Sequence, residues 1–168
     1  VTLTSGDAER AYNGEALTNE SVTVGGDGFV GEEGVTYSNF ASQTEVGEKP
    51  NTFDYSWKEG TNKDNYVVTP EYGTLEVTKN TDKVVVTITG QTGGAKYNGE
   101  SQSVTGYDVS ITLNGELTTL YTVNDFTGPA QSISASGINA GEYPMGLKEE
   151  DFQNTNANFD SVTFNVTD

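Results

Sequence analysis

The sequence predicts an all-β fold arranged as two tandem copies of one small domain, each an Ig-like β-sandwich of six or seven short strands. Three observations lead there. Apolar residues alternate with polar ones at period two, no segment carries a sustained helical stripe, and the chain repeats itself. Each copy has only about 80 residues, so a compact β-grasp-like sheet is the alternative architecture.

The repeat rests on three anchors in the same order. Val1-Thr2-Leu3-Thr4 and Val86-Thr87-Ile88-Thr89 open two stretches that end in Tyr12-Asn13-Gly14-Glu15 and Tyr97-Asn98-Gly99-Glu100, 85 residues apart. Residues 41–50, containing Gly47-Glu48-Lys49-Pro50, match residues 135–144, containing Gly141-Glu142-Tyr143-Pro144, now 94 apart. Asn65-Tyr66 then matches Asn158-Phe159 at a spacing of 93. One insertion of about nine residues in the second copy reconciles these offsets. The domains are therefore expected at 1–78 and 83–168, with Lys79-Asn80-Thr81-Asp82 (79–82) as linker. A tether this short leaves little room for independent tumbling and reads as a joint between beads of a semi-rigid rod.

The elements follow in order. Phe53, Tyr55 and Trp57 alternate with Asp54 and Ser56, which places three aromatics on one face of a strand. Leu75 and Val77 alternate with Thr74, Glu76 and Thr78; Val84, Val86 and Ile88 alternate with Val85, Thr87 and Thr89. Val162, Phe164 and Val166 do the same around Thr163 and Asn165. Asn-Gly pairs at 13–14, 98–99 and 114–115 supply turns that need positive φ, the first two at matching places in the two copies. Residues 146–152 have the composition for one helical turn and no more.

Composition excludes whole chemistries. The 168 residues hold 25 Asp plus Glu against 8 Lys plus Arg, a formal net charge of -17, with no His and no Cys. There is then no Ser-His-Asp triad, thiol nucleophile, haem histidine or ordinary zinc site. The acidity argues against a nucleic-acid backbone or an anionic membrane surface as partner, since both select basic patches. No run of about 18 apolar residues is present, so no helical membrane span is expected. Val1 already reads as strand, so the signal segment of a secreted protein would lie outside this chain. Hydrophobic residues make up only 33%, which suits two modest cores better than one large one.

Tyr-Asn-Gly-Glu after the first strand, Val46-Gly47-Glu48-Lys49-Pro50 in the middle, and Asn65-Tyr66-Val67-Val68 before Gly73-Thr74-Leu75-Glu76-Val77 carry a family likeness. The pattern resembles the MBG-type repeats, close to YDG-type and bacterial Ig-like repeats, of large bacterial surface proteins and adhesins. The resemblance covers essentially the whole chain, once per copy. It implies a spacer in a secreted or surface-displayed polypeptide, extracellular at the bacterial cell surface, with no catalytic residue and no cofactor. Its partners would be neighbouring repeat domains of the same polypeptide, and the chain itself a monomer. Copy two departs from the pattern: after Val162–Val166 the counterpart of Gly73-Thr74-Leu75-Glu76-Val77 is missing. The chain is then expected to be a fragment cut before the last strand of copy two, or else copy two closes with the 162–166 strand.

Candidate sites are few. Tyr55 and Trp57, with other tyrosines of copy one, could stack on sugar rings and make a carbohydrate- or host-protein-binding module. Alternation with Asp54 and Ser56 favours a core role instead, and copy two has acidic residues near Glu149 at the matching place. Glu32-Glu33, Asp64 and Glu149-Glu150-Asp151 offer oxygens to Ca²⁺, but none has the alternate spacing of a binding loop, so solvated acidic loops are expected. The acids of copy one, Asp54, Asp64 and Glu71, lack counterparts in copy two, which argues against a glycosidase pair. Lys83 and Asn165 are the one pair suggestive of a self-made isopeptide, yet alternation puts Asn165 outside. The expected function is non-enzymatic.

Overall fold

The computed structural model describes residues 1–168 as sixteen short strands and three single turns of 3-10 helix, an all-β chain of several small sheets in a sandwich-like arrangement. The helical turns have three residues each, so the helix around which a β-grasp sheet curls is absent. Two units divide between Asn80 and Thr81. Asn80, expected in the linker, gives its side-chain amide to the Tyr12 carbonyl at 3.0 Å and so belongs to the first unit.

Unit 1 contains β1 (Thr2–Ser5), β2 (Ala8–Ala11), β3 (Val22–Gly25), β4 (Val35–Ser38), β5 (Gly47–Pro50), β6 (Asp54–Trp57), β7 (Thr69–Glu71) and β8 (Thr74–Thr78). They form a β3-β1-β7 sheet, a β2-β8-β5 sheet and a β4-β6 pair. The count exceeds the expected six or seven because the opening strand breaks at Gly6-Asp7 and changes sheet. The closing segment breaks beside it at Tyr72-Gly73, so β1 and β2 run parallel to β7 and β8 in turn. The two backbones nearly touch at the crossing: a Cβ on Gly73 would lie 2.7 Å from the Gly6 carbonyl carbon. A buried polar knot secures the crossing. Ser5 Oγ donates to the Asn51 carbonyl at 2.6 Å, and Asn51 Nδ2 donates to the Gly6 and Asn19 carbonyls at 3.0 and 2.7 Å. Backbone groups that leave one ladder before joining the next need such partners.

Two apolar clusters fill unit 1, one on each side of the crossing. Leu3, Val35 and Phe53 gather Phe29, Tyr55, Trp57 and Val68. Leu17, Leu75 and Val77 gather Ala8, Tyr12, Ala41 and Val46. Leu75 and Val77 are 0% and 2% exposed; burying each is worth about 1.5–3 kcal/mol, so β8 locks the second cluster.

Unit 2 contains β9 (Val84–Gly90), β10 (Gln102–Thr105), β11 (Tyr107–Leu113), β12 (Glu116–Leu117), β13 (Phe126–Thr127), β14 (Ser134–Gly137), β15 (Gln153–Asn154) and β16 (Val162–Thr167). They form a β12-β11-β9-β16 sheet and the pairs β10-β14 and β13-β15. Asn114 and Gly115, at φ 52° and 87°, make the two-residue hairpin between β11 and β12, the turn their sequence demands. Val84, Val86 and Ile88 are fully buried, and an aromatic cluster of Tyr121, Phe126, Phe152, Phe159 and Phe164 packs in the core.

The counterpart of β7 in unit 2 is β16. Leu3 faces Pro70 across a parallel pair, as Ile88 faces Val166. No strand of unit 2 stands where β8 stands. At the place matching Tyr55 to Trp57 stand Glu149, Glu150 and Asp151, all exposed. Leu147 is buried as Phe53 is, but a 3-10 turn at Glu149–Asp151 follows, and the buried Phe152 leads into β15.

Candidate functional site

Tyr55 and Trp57 are both half-buried on β6, with Asp54 and Ser56 exposed between them. Antiparallel pairing with β4 sets Val35 opposite Trp57 and Tyr37 opposite Tyr55. Tyr66 stacks on the Trp57 indole at 6.2 Å and 29°, while Phe29 and Tyr55 meet it edge-on at 6.4 and 6.0 Å. Such contacts between rings of one chain add about 0.5–1.5 kcal/mol per pair beyond area burial. The loop that brings Phe29 over the indole has Gly26, Gly28 and Gly31 at positive φ, a path L side chains rarely follow.

Glu33 pins this loop. The Tyr66 hydroxyl donates to its carboxylate, the Asn62 amide donates at 3.0 Å, and the Val30 amide donates to the Tyr66 oxygen at 3.1 Å. The Tyr66 hydroxyl, and after it the Asn62 amide, hold the Glu33 carboxyl below its ordinary value. The same contact raises the phenol. Tyr121 of unit 2 is also raised, first by burial and then by the nearby Asp125 charge. Its hydroxyl is within hydrogen-bond distance of Asn154 Oδ1 and the Asp125 carbonyl, at 2.8 and 3.0 Å.

The carboxylates singled out in the sequence do not converge. No group of three acids is placed to hold a metal ion. Asp54, the first residue of β6, accepts from Asn39 Nδ2 at 2.8 Å beside the end of β4, and Asp151 accepts from the Lys148 amide at 3.1 Å to cap its own turn. These acids close loops. Lys83 and Asn165 are both exposed, and Asn165 sits opposite Thr87 rather than Lys83. No helix is long and apolar enough to cross a membrane.

One concavity in unit 2 escaped site-by-site reading of the sequence. A groove of about 830 Å³ opens between residues 92–98 and residues 135–144, with Asp168 at its margin. Tyr97 and Ile138, both on its lining, are 69% and 52% exposed. The only signal for it in the sequence is the missing counterpart of Gly73-Thr74-Leu75-Glu76-Val77.

Comparison with family models, with curated proteins and with solved structures finds no match to the chain.

Proposed function

We propose that the chain is a non-enzymatic structural segment, a spacer or stalk piece of a secreted or cell-surface bacterial protein of adhesin-like kind. It would hold a functional head away from the cell, extracellularly, with neighbouring repeat domains of the same polypeptide as its partners. The duplication carries this reading. Copying a unit adds length, and a duplicated catalytic or binding site would also have copied its side chains. Asp54, Asp64 and Glu71 are not copied as acids, and neither is Trp57 as an aromatic ring at the matching step. The charge of -17 keeps such a segment soluble and discourages self-association.

The competing reading is a carbohydrate- or host-protein-binding module built on Tyr55 and Trp57. Fluorescence of Trp57, the only Trp, separates the two. The spacer reading expects a blue-shifted emission maximum, limited quenching by acrylamide, and no response to a panel of glycans. A red-shifted, freely quenched signal that a glycan shifts or protects overturns it.

A further inference from the structure

The two units carry the same opening strand, yet only one of them has its second apolar cluster sealed. In unit 1, β8 runs between β2 and β5, parallel to the first and antiparallel to the second. Leu75 faces Ala8 on one side and Lys49 on the other; Val77 faces Arg10 and Gly47. In the sequence match Gly93 to Lys96 correspond to β2, and Gly141 to Pro144 to β5. Neither stretch forms a strand. The groove lies between them.

Its walls are the counterparts of the side chains that hold Leu75 and Val77. Around those two residues unit 1 sets Ala8, Tyr12, Leu17, Ala41 and Val46. At the matching positions unit 2 sets Gly93, Tyr97, Gln102, Ala135 and Ala140, all on the groove. The scaffold beneath is conserved between the copies: the Leu17–Gln43 bridge corresponds to the Gln102–Gly137 pair of β10 and β14. Tyr12 packs against the buried cluster, whereas Tyr97 is left 69% exposed.

The mouth of the groove matches as well. In unit 1 the Asn51 amide donates to the Gly73 carbonyl at 2.7 Å, one residue before β8. In unit 2 Met145 holds that place, and its amide donates to the Asp168 carboxylate at 3.1 Å, with Gly146 donating at 2.9 Å. A side-chain carboxylate occupies a backbone docking point.

We propose that this groove is a strand-accepting site. Its occupant is one extended segment of the β8 type, a glycine followed by two branched apolar residues two apart, entering from the Asp168 end as β8 enters from β7. It lies parallel to 93–96 and antiparallel to 141–144, directs its two apolar residues between Tyr97, Ala135 and Ala140, and turns both flanking stretches into strands. Two residues, Tyr72 and Gly73, suffice to pass from β7 into β8. The inference is independent of the spacer reading and of any glycan result.

The test appends the residues of Gly73 to Thr78 directly after Asp168 of the full chain and follows backbone amide exchange by mass spectrometry. Exchange over 93–97 and 141–144 is expected to slow by about a hundredfold or more, because strand amides exchange only through opening of the sheet. Unit 2 is expected to unfold at higher denaturant, while the Trp57 transition of unit 1 stays in place. A control tail with Ser in place of its Leu and Val loses both effects. Unchanged exchange with the apolar tail, or equal protection by the Ser tail, overturns the proposal.

Discussion

Residues 47–50 of unit 1 and 141–144 of unit 2 are alike in sequence, Gly-Glu-Lys-Pro and Gly-Glu-Tyr-Pro, yet the first is β5 and the second is irregular. Residues 8–11 and 93–96 differ in the same way. Sequence does not explain the first contrast, since Gly-Glu-Lys-Pro and Gly-Glu-Tyr-Pro are nearly alike, and proline and glycine suit a strand poorly in either copy. The presence of a partner explains it. In unit 1, β8 offers hydrogen-bonding groups on both edges and a Leu-x-Val face, and its neighbours extend to meet it. In unit 2 no such strand is present, and the same segments have no ladder to join. Strand state here is a property of the pairing more than of the segment.

The largest expected effect comes from weakening that partner. Leu75 is fully buried at the centre of the β2-β8-β5 sheet, so Leu75→Ala should destabilise unit 1 by about 2–5 kcal/mol. Urea unfolding followed at Trp57 reads unit 1 alone. Amide exchange over 8–11 and 47–50 should then approach the rates of their counterparts in unit 2. A Leu75→Ala protein with unchanged Trp57 transition would break the comparison, because β8 would not be the lock.

A smaller effect is expected at the crossing. Gly73→Ala forces a Cβ to within 2.7 Å of the Gly6 backbone, which cannot give way as a flexible side chain could, and should cost about 1–3 kcal/mol. In unit 2 the residue matching Ser5 is Gly90, where an added Cβ would meet Leu147 Cδ1 at 3.3 Å. Gly90→Ala should therefore cost less than Gly73→Ala. The reverse order would mean that the tight crossing belongs to unit 2.

The smallest effect is a pH dependence confined to unit 1. Glu33 is held below its ordinary pKa in the fold, so its contribution is fully present above the unfolded value of about 4.3 and is lost as pH falls through the folded value. Trp57 fluorescence should be flat from pH 7 to about 5 and change below about 4, as the Tyr66 contact is given up. Glu33→Gln should flatten that acid limb while leaving the neutral-pH spectrum alone. An identical limb in both proteins would assign it to other carboxylates.

Much of the fold was legible in the sequence. The alternation of Leu75 and Val77, of Val84, Val86 and Ile88, and of Val162, Phe164 and Val166 set which faces are inward, because a strand's side chains alternate by geometry. Asn114-Gly115 specified its hairpin because both residues had to adopt positive φ. The inward side of Phe53, Tyr55 and Trp57 was readable for the same reason as the other strands. The aromatic contacts of Trp57 were not, since Phe29 and Tyr66 come from distant parts of unit 1 and meet there only through the glycine loop and the Glu33 anchor. The acids read as solvated loops in the sequence, and local spacing could not show that Asp151 caps its own turn or that Asp54 meets Asn39 across the β4-β6 pair.

By itself the sequence determined the all-β class, the inward faces and the Asn114-Gly115 turn, since each follows from local sterics or from the period of a pattern. The tertiary structure decided where the opening strand breaks, which repeat segments become strands, and where a groove is left. Those depend on what lies opposite. A backbone edge takes strand form when another edge satisfies its hydrogen bonds, and an apolar wall is a core or a groove according to whether a second wall closes on it.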